Sequence, residues 1–519
     1  MRQVKSSISL NHPSATRLAF CLGWFLLGSI TLSGCGGNLG QKEKTAPEQE
    51  TAKPQQNTVT IVILADQVPQ PASSQSSGNK PSDPTDSNGD ELPPLAIEIQ
   101  KEFQSLELGQ VIFHVTDTDQ YLANPLAGDL IIYPPNRFGD LVNAKLLRSI
   151  PSYVTKSESY AENDVFLNQR LFSRHRKTPM AISNGTTSLM LLVRTDILEK
   201  FEIPTPTNWQ QYDRVCRTLV EKKNNGELLT GKIWSPTIEP LDQRWKSVTL
   251  LTRSASYVRA RGRYSSLFNY TSWLPLIDRE PFQKALSELK TTRSRFHPDH
   301  CQLDPLAVEN AFLRGESVMA ITWPHPLDDQ AEIDSLPQQR VAIHPIPGSQ
   351  SNFNFSDNQW EASDADQFQV PFLGTSGQSL SILKTTSQAS VAARRIGLLV
   401  GKQFSEKLFT ADRRNGFPSR ASQMGSVSQW MDPRYPISAA DQLADNIQAA
   451  NEATVWMMRP RIAASSRYEK ILSQEMEKCF QSQSVAQTLT SVANQWSELN
   501  GLMDLDLQKQ INLESLGVK

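Results

Sequence analysis

Short β-branched runs alternate with amphipathic stretches from Thr58 onward. Thr58–Asp66 (TVTIVILAD) is continuously apolar and short, the pattern of a strand buried on both faces. PLAIEIQKEF follows as a helix, and Gly109–Val115 (GQVIFHV) as a second strand. Gly128–Pro135 (GDLIIYPP) predicts a third strand ending in a loop, and FGDLVNAKLLRSI an amphipathic helix. This β-α-β-α-β order predicts a parallel sheet with helices on its faces, and in such sheets ligands sit at the carboxyl ends of the strands. Those ends are Asp66-Gln67 and Tyr133 to Arg137.

Thr178–Leu198 reads as a strand, a Ser-Asn-Gly-Thr break and another apolar run, a segment that crosses between two bodies. Thr207 or Asn208 supplies the cap of a helix that begins at Trp209. Residues 221–300 read as mostly helical with loops. Glu309–Pro326 reads as a helix stopped at Gly315, a strand, and a Trp-Pro loop. Gln350–Gln369 is polar and irregular, Val370–Leu383 is a strand interrupted by glycine, and 388–410 is one helix. Two final helices occupy Arg461–Leu499.

The first 34 residues carry Arg2, Lys5 and Arg17, no acid, and then an apolar run from Leu18 to Leu32. A basic start, a short apolar middle and small residues after it are the parts of an export signal. Leu32-Ser33-Gly34-Cys35 resembles the lipobox of bacterial lipoproteins, which implies cleavage before Cys35 and acylation of its thiol; an ordinary signal peptide with an incidental cysteine is the alternative. Residues 35–56 are polar and suit a flexible tether, and 67–94, rich in Pro, Ser, Gly, Asp and Asn, suits a disordered insertion. No later stretch is long and apolar enough for a membrane span.

A hydrophobic content of 38% with 20% charged residues fits a soluble globular body, and its length suggests two or three domains. The formal net charge of −2 offers no basic excess for nucleic acid. Cys216, Cys301 and Cys479 allow either one disulfide with a free thiol or three reduced thiols.

In order along the chain, AGDLIIYPPNRFGDLVNAKLLRSI, PMAISNGTTSLMLLVRTDILEKFEIPTPTNWQQY, AFLRGESVMAITWP, FLGTSGQSLSILKTTSQASVAARRIGLLV and RPRIAASSRYEKILSQEMEKCF resemble the successive segments of the maltose-type, family-1 solute-binding proteins of ABC importers. The resemblance implies an α/β, two-lobed periplasmic-binding-protein-like fold of type II. Each lobe is then a mixed sheet flanked by helices, with hinge crossovers between the lobes. By that analogy lobe one is 57–182 plus 372–427, lobe two is 186–371 plus 428–500, and 501–519 is a C-terminal tail. It further implies capture of a small solute, with sugar favoured, for delivery to ABC permease subunits. The protein would then be a monomer anchored through the lipid on Cys35 to the outer side of a membrane, with no cofactor and no catalysis.

Residues matching the family's ligand positions are Tyr133, Asn136 and Arg137 after the third strand and Trp323 at a strand end, while Ser183 and Asn184 at the first crossing either bond a ligand or serve the turn before Gly185. Ser376 between Gly374 and Gly377, Tyr468 near the start of the closing helices, and Asp66 and Gln67 complete the set. Aromatic faces pack on the CH-rich sides of sugars, and planar polar groups fix hydroxyls. Where sugar-binding relatives carry Asp, this chain has Asn136, which weakens a sugar assignment. Arg137 and Arg414 would also suit an anion.

Two rival readings remain. A solute-sensing or scaffold lipoprotein without transport would have the same cleft. A secreted hydrolase would need machinery such as G-x-S-x-G or H-E-x-x-H, and neither pattern is present. His297, His300 and Cys301 are three potential zinc ligands in one short run, but their spacing fits no usual zinc site, and no metal is expected.

Overall fold

The computed structural model describes residues 58–65, 92–325, 340–363, 369–411 and 416–518. The export signal, Cys35, the tether, Asp66, Gln67, Arg414 and Asn415 lie outside the described residues, as does all of the 67–94 insertion up to residue 91.

Sixteen strands occur in chain order among the described residues. They are β1 (Val59–Ala65), β2 (Val111–Asp117), β3 (Leu130–Tyr133), β4 (Leu147–Arg148), β5 (Arg174–His175), β6 (Thr178–Pro179), β7 (Ile182–Thr186) and β8 (Met190–Arg194), then β9 (Ser235–Ile238), β10 (Ser317–Thr322), β11 (Val341–His344), β12 (Ser351–Asn354), β13 (Gln359–Ala362), β14 (Phe372–Leu373), β15 (Gly377–Leu383) and β16 (Met457–Met458).

The first sheet runs β2-β1-β3-β15-β4, with β7 also on β15. The β1 strand is parallel to β2 and β3, while β15 is antiparallel to β3, β4 and β7. Side chains alternate along a strand, and β1 uses both directions. Ile61 and Ile63 pack with Ile99, Phe103 and Ile396 on one face, and Val62 and Leu64 with Ile131, Tyr133 and Phe138 on the other. Burial on both faces is why the strand is apolar throughout. The Pro94–Ser105 helix begins on a proline whose missing N–H costs nothing at that position, and it buries Leu95, Ala96, Ile99 and Phe103.

The second sheet runs β11-β8-β10-β9 and shares a larger core with the helices of the C-terminal half, including Leu472 and Trp496. The Trp209–Asn224 helix behind it is capped by Asn208, whose side chain accepts from the Gln211 N–H at 2.8 Å. Two mixed sheets, each flanked by helices, make this an α/β two-lobed fold.

The chain passes from β7 to β8 and returns from β14 to β15, and the two passages are tied. Thr187 N–H donates to the Ser376 carbonyl and Thr375 N–H to the Thr187 carbonyl, each at 3.1 Å, while the two threonine hydroxyls meet at 2.6 Å. Gly377 sits at φ +125°, and a Cβ there would lie 2.2 Å from the Gly185 carbonyl oxygen, so only glycine permits this approach.

Several elements differ from the sequence expectation. Residues 388–410 form two helices, Ala389–Leu399 and Lys402–Ala411, broken at Gly401. The polar stretch after Gln350 carries the hairpin β12–β13. The helix after Arg137 ends at Asn143, and β4 follows. The expected tail contains a third closing helix, Leu505–Ser515, capped by Asp504. Cys216, Cys301 and Cys479 are free thiols. No helix among the described residues is long and apolar enough to cross a membrane.

Candidate functional site

Six of the residues singled out in the sequence converge at one edge of the first sheet. Ser379 of β15 lies opposite Tyr133 of β3 on one side and Ser183 of β7 on the other. Because β15 runs against both neighbours, the residues just beyond this row gather at the same edge: the Pro135–Arg137 turn, Asn184, and Ser376.

The N-terminus of the Ser465–Gln481 helix, which packs in the second lobe's core, closes over this edge. Ser465 Oγ donates to the Asn136 carbonyl at 2.7 Å, and Arg137 Nη1 donates to Ser466 Oγ. The Ala464 N–H donates to Asp140 Oδ1 at 2.6 Å, placing a carboxylate at a helix N-terminus, where the backbone dipole favours negative charge. Arg137 also faces Asp119 Oδ1 at 3.3 Å and Asp140 Oδ2 at 3.6 Å. Burial raises the Asp140 carboxyl to about 6, against the opposing pull of the Ala464 N–H and the Arg137 charge. Nearby, Arg459 forks onto both oxygens of Glu469 at 2.7 Å and donates to the Thr375 carbonyl at 2.5 Å.

Among these buried groups, a few polar atoms find no partner in the chain. Asn184 is 2% exposed, and both its amide oxygen and its amide nitrogen are unsatisfied. Asn136, also 2% exposed, leaves its side-chain oxygen unsatisfied, and so does Gln378. An unmade hydrogen bond of this kind costs about 1–3 kcal/mol per group.

Four of the expected ligand residues are instead committed to the chain itself. The Tyr133 ring lies in the first sheet's core and its hydroxyl meets Ser381 Oγ at 2.8 Å. Ser183 Oγ donates to Gln169 Oε1 at 2.7 Å; Gln169 Nε2 in turn donates to Thr186 Oγ1 and Asn451 Oδ1, each at 2.8 Å. Tyr468 is core: its hydroxyl donates to Asn500 Oδ1 at 2.6 Å, and Phe268 and Trp496 meet its ring edge-on. Trp323 is 1% exposed, with Trp245 at 5.4 Å and His325 at 4.7 Å between ring centres. Its ring packs on its own chain and offers no free platform for a sugar. His325 is held beneath it by Glu309, at 2.6 Å from Nδ1, and Glu309 also accepts from the Tyr435 hydroxyl at 2.8 Å.

Asp140, Gln169, Arg459 and Glu469 escaped the sequence reading. Only Asp140 carried a local signal, its i,i+3 spacing from Arg137. The His297–Cys301 run holds no cluster suited to a metal ion: His300 places one ring nitrogen 2.7 Å from Ser235 Oγ and the other 3.0 Å from Glu316. Two surface depressions share no residue with the sheet edge. One, of about 500 Å³, is lined by Glu280, Lys284 and Trp360. The other, of about 450 Å³, is lined by Arg148 and Tyr153.

No family model matches the sequence, and no curated protein matches it either. Solved structures do match, and they define the class of fold: that of the two-lobed solute-binding proteins of ABC transporters. The maltose-bound MalE3 of T. maritima is 14% identical, with 85% of this chain and 99% of that chain covered at a TM-score of 0.57. The ABC transporter solute-binding protein of Agrobacterium radiobacter K84 in complex with ribitol is 14% identical, with 85% and 98% covered at a TM-score of 0.59. The sugar-binding protein MalE of Xanthomonas citri is 14% identical, with 86% and 98% covered at a TM-score of 0.58. At these identities the likeness is one of fold.

Proposed function

We propose that the chain is a solute receptor that holds an uncharged, hydroxyl-rich solute, a sugar or sugar alcohol, between the edge of the first sheet and the second lobe. The observation that carries this reading is Asn184, a buried amide with neither atom paired, at the same sheet edge as Asn136, whose side-chain oxygen is also unpaired. An amide accepts from one hydroxyl and donates to another, which is the pattern that a polyol presents. The charges at the edge favour a neutral ligand. Arg137 is offset by Asp119 and Asp140, and Arg459 by Glu469, so an anion would compete with carboxylates already in place. Maltose and ribitol in two of the fold's solved relatives fit the same class.

Acylation at Cys35 would hold such a receptor at the outer face of a membrane. There it raises the effective concentration of the solute-loaded form near an ABC permease. The reading is one of binding, not catalysis. A sensor or scaffold that never transports is the second reading. It is favoured by one observation, that the Tyr133, Ser183 and Tyr468 hydroxyls are bonded within the chain and the Trp323 ring is packed against Trp245 and His325.

The test is a thermal-shift screen across neutral sugars, polyols, sugar phosphates, amino acids and polyamines. A ligand at 100 times its Kd stabilises the native state by about 2.7 kcal/mol. A shift from neutral sugars or polyols alone supports the receptor reading. A shift confined to charged solutes removes the assigned class, and no shift across the panel moves the balance to the scaffold reading.

A further inference from the structure

The Leu505–Ser515 helix turns one face inward, carrying Leu507, Gln508, Ile511 and Ser515 at the spacing of successive helical turns. That face touches both halves of the molecule. Ile511 is 1% exposed and packs in the same cluster as Val62, Ile131, Phe138 and Leu141 beside the first sheet, with Leu507 against it. Gln508 accepts from the Ala463 N–H at 2.8 Å and donates to the Ala463 carbonyl at 2.9 Å, gripping the segment that opens the second lobe's Ser465–Gln481 helix. Glu514 accepts from the Arg176 N–H at 2.7 Å, in the turn of the β5–β6 hairpin. The chain reaches this position directly from the Val485–Asn500 helix, whose Val492, Trp496 and Leu499 belong to the second lobe's core.

A helix anchored in one lobe by its connection and in the other by its buried face opposes their separation. To part the edge from the Ser465–Gln481 helix, the chain must break both hydrogen bonds between Gln508 and Ala463 or pull Ile511 from its cluster. We infer that the Leu505–Ser515 helix is a strap that holds the two lobes closed in the absence of solute, so that opening requires its release. Hinge motions of this kind are set by the difference in free energy between closed and open forms, and a strap raises the closed fraction without any ligand. The inference is independent of which solute the site takes, and its test uses none.

Hydrogen exchange on the full chain, without added solute, reads the consequence directly, because opening exposes amides that the closed form protects. Gln508→Ala and Ile511→Asp are compared with the unaltered chain. The expected result is about tenfold faster exchange in peptides covering 134–140, 183–187 and 463–466, with peptides of β10 and of the 246–258 helix unchanged. If Ile511→Asp raises exchange throughout the chain, it has damaged the fold, and Gln508→Ala, which removes only one side chain's bonds, decides. Unaltered protection at 134–140 and 183–187 in Gln508→Ala overturns the strap, as does a change confined to 505–515.

Discussion

Gly139 lies against the backbone of Arg461: a Cβ on the glycine would sit 2.1 Å from the Arg461 carbonyl oxygen and 2.4 Å from the Ile462 carbonyl carbon. The first residue belongs to the short helix after the Asn136–Arg137 turn, and the second to the segment leading into the second lobe's Ser465–Gln481 helix. The Arg461 guanidinium then covers the Phe138 ring at 4.4 Å. Asn136 and Asp140 meet the same segment by hydrogen bonds, so the junction is built at backbone contact distance.

Gly139→Ala is therefore expected to destabilise the protein by about 1–3 kcal/mol, despite alanine's better helix propensity. The clash is with backbone, which cannot rotate away. Urea denaturation checks this, and a midpoint equal to that of the unaltered chain would contradict the packing described.

Asp140 makes the junction sensitive to pH. Its folded-state pKa, near 6, lies above the ordinary value of 3.8. The folded state thus holds the proton more tightly, and the stabilisation from protonation is complete below about pH 4 and lost as pH rises through 6. Each pH unit within that window costs at most about 1.4 kcal/mol. Asp140→Asn keeps an oxygen for the Ala464 N–H and removes the titration. Its thermal stability should fall less between pH 4 and 6 than that of the unaltered chain; equal slopes would show that Asp140 is not the group responsible.

Trp323 and Tyr468 should behave as core residues. Trp323→Ala is expected to cost about 3–5 kcal/mol of stability. Tyr468→Phe, which forfeits one buried hydrogen bond to Asn500, is expected to cost about 1 kcal/mol. Chemical denaturation of both variants measures this. A Trp323→Ala protein of undiminished stability would put the ring back at a ligand surface.

Strands β1, β2 and β3 of the first sheet were legible because their signals are local. Ile61 to Leu64 are apolar on both faces, and the Asn208 cap sits one residue from its helix. The hairpin β12–β13 was not, because Ser351–Asn354 and Gln359–Ala362 pair through backbone bonds and carry few apolar residues. The place of Asn136 was legible because it falls in the turn just after a strongly apolar strand, β3. Tyr468 and Trp323 misled for the opposite reason: an aromatic at an element's end reads alike whether it faces a cleft or a core. What closes the junction, Gln508 on Ala463 and Asp140 on Ala464, joins residues 45 and 324 positions apart, and no local pattern announces such a partner.

The central claim rests on Asn184, and replacing it separates ligand binding from folding. Asn184→Ala removes two buried unsatisfied atoms, so the solute-free protein should be at least as stable as before. Isothermal titration with the neutral sugar or polyol that gives the largest thermal shift should then show affinity weakened by about tenfold or more, about 1.4 kcal/mol. Unchanged affinity in a folded Asn184→Ala protein would contradict the account and place the solute elsewhere.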